Sequence, residues 1–219
     1  MKKALKLYVL ILILCLFVYH CGVALTPKAT VKIPRETNTE IFRLNLFHGE
    51  VETLYGMNIG LVNIIVSRMI GTQIGLLNSV NYSEGKGFQV GILNNSGFGY
   101  YGLKLGIFNF NFSFFGDPMP GSKVEEERRK IATALSIGMF NFNNAFNIGI
   151  FNVGRGINVG VFNAGASFSL GVVNGSGEPG LSVGAINIGS NGNLQIGIVN
   201  YCPNNTIPIM IIANYCAKE

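Results

Sequence analysis

Residues 145–174 read AFNIGIFNVGRGINVGVFNAGASFSLGVVN. One frame, small-x-x-x-Gly-x-x-Asn, occurs here three times, ending at Asn152, Asn163 and Asn174. Its first six residues alternate with period two. In the copy GFQVGILN, Phe88, Val90 and Ile92 fall on one face, and Gly87, Gln89 and Gly91 on the other. Period two with β-branched and aromatic residues predicts a strand. Leu93 breaks the alternation, and a bend after Gly91 is expected to turn it inward, since glycine permits such geometry. The asparagine is expected to close the strand, because it tolerates turn conformations.

Outward from this stretch the frame recurs ten times. The copies end at Asn63, Asn78, Asn94, Asn109, Asn141, Asn152, Asn163, Asn174, Asn187 and Asn200, spaced 15, 16, 15, 32, 11, 11, 11, 13 and 13 residues apart. A partial copy, FRLNLFHG, runs from Phe42 to Gly49. One copy buries three or four apolar side chains at about 1.5–3 kcal/mol each. Ordering eleven residues costs about 1–2 kcal/mol apiece, so copies must stack. Every copy has the same polarity, glycine before asparagine, which favours an all-β solenoid with a ladder of amide hydrogen bonds. The alternative is an up-and-down β-barrel with lipid outside and Gly, Gln, Asn and Ser in the lumen. An eleven-residue copy supplies one strand and one turn, so two copies per coil are expected.

The 32-residue gap holds a charged excursion at 116–133. Gly116 to Gly121 reads as a loop, and Ser122 with Glu125 fits a capping box for a short helix near Lys123–Ala132. A solvated loop is the simpler reading over a docking site. The tail from Tyr201 carries prolines and a last apolar run, and is expected to cap the final coil.

The N-terminus pairs Lys2, Lys3 and Lys6 with an apolar run from Leu7 to Val18. Twelve residues suit a signal peptide better than a membrane span, which needs about 20. Three endings stand open: lipidation of Cys21 after Val18-Tyr19-His20, cleavage at Gly22-Val23-Ala24, or retention as an anchor. The expected organisation is a signal peptide at 1–20, a linker at 21–40 and a β-repeat domain at 41–215. The formal charge of +5 falls to +2 without the three leader lysines, and no basic patch suggests nucleic acid. Cys15 leaves with a cut leader and Cys21 is the lipidation candidate. Cys202 and Cys216 then either pair in an oxidising compartment or stay as buried thiols.

Charged residues make up only 12% of the chain, with one aspartate, Asp117, and two histidines, His20 and His48. That leaves no Ser-His-acid trio to name, no clustered metal ligands and no aspartate per repeat for calcium. His48 reads as a strand-end residue. Gly97-Phe-Gly99-Tyr-Tyr-Gly102 matches a dinucleotide fingerprint but lacks the following helix. Phe108, Phe140, Phe151 and Phe162 recur at one frame position, where a stacked core ladder is expected rather than a stripe for glycan or lipid. No catalytic residue, cofactor or metal is expected.

Phe42–Gly49, the repeated G-x-Q-x-G-x-x-N and the closing LQIGIVNYCPNNTIPIMIIANYC, Leu194–Cys216, together resemble the surface-repeat proteins and lipoproteins abundant in leptospires, with relatives in other Gram-negative bacteria. The resemblance covers roughly Ile41 to Cys216. It implies an exported protein at the cell surface or outer membrane and no established activity. The expected role is structural or adhesive and non-enzymatic, with an outer-membrane pore as the alternative. The expected partners are the membrane, through the leader or a lipid anchor, and a host or envelope surface molecule.

Overall fold

The computed structural model describes residues 20–81, 85–97, 100–111 and 134–218. The first strands are β1 (Cys21–Ala24), β2 (Thr30–Ile33), β3 (Thr39–Ile74), β4 (Leu77–Val80), β5 (Gly85–Val90), β6 (Leu93–Ser96), β7 (Tyr101–Leu105) and β8 (Phe108–Asn111). They continue as β9 (Ala134–Phe142), β10 (Phe146–Val153), β11 (Ile157–Ala164), β12 (Phe168–Ser176), β13 (Gly180–Gly189), β14 (Asn193–Tyr201) and β15 (Ile209–Tyr215). From β3 to β14 every pairing between strands is parallel. Frames stack glycine on glycine and asparagine on asparagine: Gly149 faces Gly160 and Asn152 faces Asn163. The chain is an all-β solenoid. Parallel stacking in one register rules out the up-and-down barrel, whose neighbours run antiparallel.

Each copy forms one coil, not half of one. Its first arm runs up to the frame glycine, the chain turns there, and its second arm runs through the asparagine. In the 15-residue copies the two arms are separate strands, as in β5 and β6. In β9 to β14 they merge into one strand bent at the glycine. Residues between frames form the third side. In the eleven-residue copies that side shrinks to a turn such as Gly154-Arg155-Gly156.

Coil length decides what fits inside. Eleven extended residues make a loop about 36 Å around, and a three-sided loop of that size brings each side within about 3.5 Å of the axis. The 15-residue coils widen this to about 5 Å. Accordingly, the inward position of the first arm holds Gln73, Gln89 and Lys104 in the wide coils. In the narrow ones it holds Ser136, Asn147, Asn158 and Ser169, and all seven residues are buried. The wide coils hold an apolar cluster of Val51, Leu54, Ile65, Met69, Val80 and Tyr100, which ends on Ala134 at the first narrow coil.

This inverts the expected core. Phe88, Val90 and Ile92 point outward and are 39–53% exposed. The bend after Gly91 exists, but it resets the phase so that Asn94 turns inward rather than Leu93. The frame asparagines therefore lie buried within the coil and do not close strands at the surface.

Both ends are covered. β1 lies parallel beside β3 and antiparallel to β2, so the stretch 21–40, expected as a linker, carries two strands. β15 lies antiparallel on β14, and the Cys202–Cys216 disulfide joins the residues just after these two strands. The tail caps the last coil as expected. The excursion at 116–133, with its expected helix, lies outside the described residues, as do residues 1–19 of the leader and Gly99.

Candidate functional site

The buried asparagines form a continuous spine. Starting from Asn45, each side-chain amide donates to the Oδ1 of the next asparagine through Asn63, Asn78, Asn94, Asn109, Asn141, Asn152, Asn163, Asn174, Asn187 and Asn200, at 2.8–2.9 Å throughout. From Asn63 onward the second N–H reaches a backbone carbonyl of the next coil, always the residue before its frame glycine: Ile74 for Asn63, Ile148 for Asn141, Val159 for Asn152. A carbonyl only accepts, so this bond fixes which end of each amide is nitrogen. In the wide coils the same carbonyl also accepts a backbone amide of the adjacent coil, as Val90 does from Gly75 and Leu105 from Gly91.

The frame glycine follows from the same geometry. A Cβ on Gly160 would collide with the Gly149 carbonyl and stand 2.6 Å from Asn152 Nδ2. Gly75, Gly91, Gly106, Gly138, Gly149, Gly171, Gly184 and Gly197 meet the equivalent pair. Gly-x-x-Asn is thus one device: the glycine lets successive coils approach, and the asparagine of the coil below fills the space.

The spine is closed at both ends by residues that the repeat pattern does not mark. Asn45 Oδ1 accepts from Arg43 Nε at 2.9 Å. Arg43 is buried and paired with buried Glu40 at 3.0 Å, with Lys32 Nζ at 3.6 Å from Glu40. At the far end Asn200 donates to the Met210 carbonyl of β15. The partial copy FRLNLFHG was the available signal for Arg43 and Asn45; Glu40, just outside it, had none.

The second interior column is less complete. Gln89 donates to Gln73 at 2.8 Å, and Asn147 to Asn158 at 2.7 Å. The buried hydroxyls of Ser136, Ser169 and Ser182 have no hydrogen-bond partner among the described residues. Lys104 lies in this column, fully buried, donating to the Phe110 carbonyl and to Asn144 Oδ1. Burial holds its ammonium well below the ordinary lysine range.

The phenylalanine column stacks as expected but not in a core. Phe108, Phe140, Phe151 and Phe162 follow one another with ring centroids 4.9–5.1 Å apart, on the outer surface. Phe151 is 38% and Phe162 43% exposed. They belong to an apolar exterior that includes Ile148, Ile150, Val161, Val172, Ile196 and Ile198. In the narrow coils the interior has no room for a ring, and in the wide coil of Phe108 the inward position beside it is taken by buried Asn109.

Cys21 opens β1, half-buried; burial, and then the Glu40 charge, raise its thiol. Cys202 and Cys216 are buried and joined. His48 lies within β3 rather than at a strand end, 3.5 Å from Glu50. Among the described residues, no three His, Cys, Asp or Glu side chains stand close enough to hold a metal ion, and no helix is long and apolar enough to cross a membrane. Comparison with protein-family models, curated proteins and solved structures finds no match.

Proposed function

We propose that this chain is an exported, surface-associated repeat protein with a structural or adhesive, non-enzymatic role at the outer membrane or cell surface. The observation that carries this reading is the reversal of the usual solenoid: amides inside, aliphatic and aromatic side chains outside. A surface of that kind suits contact. The leader supports export. Cys21 stands at the N-terminal end of the coil stack, where an attached lipid would tether the solenoid by one end.

The test is fractionation of cells making the full chain, with palmitate labelling. The chain is expected in the envelope fraction, with label that disappears in Cys21→Ser. Recovery in the cytosol with the leader intact would reject export. Unchanged labelling in Cys21→Ser would reject the lipid anchor alone.

A further inference from the structure

The ten eight-residue frames contain a single charged residue, Lys104, and it points inward. Among the described residues, the charges that separate the frames, Arg68, Lys86, Arg155 and Glu178, fall on the third side. Arg155 and Glu178 approach to 4.0 Å there and are more than half exposed. Around the circumference the solenoid is therefore amphipathic: two arms and their shared corner are uncharged, and one side is polar. Within the frames from Ala134 to Asn200, seventeen large apolar side chains are more than a third exposed. At about 50 Å² apiece they make about 850 Å² of apolar surface, where a soluble monomer rarely leaves more than a few hundred in one patch.

We propose that this face rests in the outer part of a lipid leaflet, with the long axis in the membrane plane and the charged third side toward water. Three observations select lipid over a second copy of the chain. The first is shape. The apolar surface is convex, wrapping two arms and the ridge formed by Ile150, Val161, Val172 and Ile198 between them. A rigid partner covers one facet with about 800 Å² and leaves the other wet; a fluid covers both.

The second is the backbone. Corner amides bond to the adjacent coil, as Gly91 to Leu105, Gly106 to Ile137 and Phe140 to Ile107. The carbonyl before the corner is bonded from within by the spine. Lipid demands that backbone polar groups be satisfied internally, and these bonds meet that demand for the corner groups named. The third is dimension. Eleven asparagines at about 4.8 Å per coil make a stack about 48 Å long, too long to stand across a hydrocarbon core of about 30 Å. Its polarity divides lengthwise, as in helices that lie in the interface. The proposal rests on the export reading for the membrane concerned, but assigns the contact to the body of the solenoid rather than to the leader or Cys21.

The chain contains no tryptophan, so a single introduced indole reports its own surroundings. Full-length Val161→Trp, Val172→Trp and Arg155→Trp proteins, each also carrying Cys21→Ser, are mixed with phosphatidylethanolamine–phosphatidylglycerol vesicles, plain or brominated in the acyl chains. Circular dichroism first confirms the sheet. The two ridge indoles should shift to the blue and lose most of their emission to the brominated lipid. The Arg155→Trp indole should stay water-like and unquenched. Vesicle flotation with all three indoles water-like would mean attachment through the N-terminus alone and would overturn the proposal while leaving export intact. A blue shift insensitive to bromine, with a dimer on sedimentation, would give the face to a second copy and overturn it. Failure to float would overturn it as well, with export judged by fractionation alone.

Discussion

At the residue scale, asparagine carries more of the fold than any apolar side chain. Asn163 accepts from Asn152 and donates to both Asn174 and the Leu170 carbonyl. Leucine in its place leaves these groups buried and unpaired, at about 1–3 kcal/mol each. Asn163→Leu is therefore expected to lose about 3 kcal/mol or more in a denaturant melt. A loss within about 0.5 kcal/mol, typical of surface positions, would show that the spine contributes little. Lys104 makes the opposite prediction. It occupies the column of Gln73 and Gln89, neutral side chains of similar reach. Its depressed folded value means that the unfolded chain holds more protons between that value and the free lysine value of about 10.4. Stability should accordingly rise with pH across that window. Lys104→Gln should be more stable than the parent at pH 7, with the gap narrowing as pH approaches 10. A gap constant with pH would mean that the ammonium is not penalised.

At the element scale, the frame glycine sets how closely one coil sits on the next. Gly160→Ala forces a Cβ against the backbone of β10, whereas Gly177 has nothing within 4 Å of the equivalent position. Melts of the two alanine variants should differ by about 2 kcal/mol or more, the scale of overpacking, with Gly177→Ala near neutral. Equal melts would mean that the coils can spread without loss. Much of this element was legible in the sequence: the repeat, its strand character, the shared polarity and the amide ladder. The sidedness was not. Alternation shows that Phe88 and Gln89 face opposite ways but not which way is in, and the usual preference for apolar cores pointed wrongly. Perimeter decides it, and perimeter depends on each copy closing its own coil, which the assumption of two copies per coil concealed. The buried Glu40–Arg43 pair was hidden because it belongs to the end of the stack, where the repeat is only partial and Glu40 lies outside it.

For the whole molecule, stability in a one-dimensional stack depends on its ends, since a terminal coil has only one neighbour. The Cys202–Cys216 bond closes a 14-residue separation, a loop worth about 3 kcal/mol in the chain-entropy view. Non-reducing peptide mapping of the protein should recover the two cysteines linked. In the double serine variant, hydrogen exchange should accelerate first in β14 and β15, leaving β10 to β12 protected. Uniform acceleration would mean that the stack unfolds as one unit and the clamp has no local role.

The third side has a consequence for how such a chain can be lengthened. Asn109 and Asn141 are 32 residues apart in sequence yet bond at 2.8 Å, like neighbours 11 apart. Extra chain enters and leaves between coils while spine and arms stay in register. Insertion at this side is therefore cheap in evolution and open to engineering: an epitope spliced between Arg155 and Gly156 would be displayed from the polar side without breaking the repeat beneath it. The varied spacing of the frames would then record past insertions and deletions, while the eight-residue frame stayed fixed.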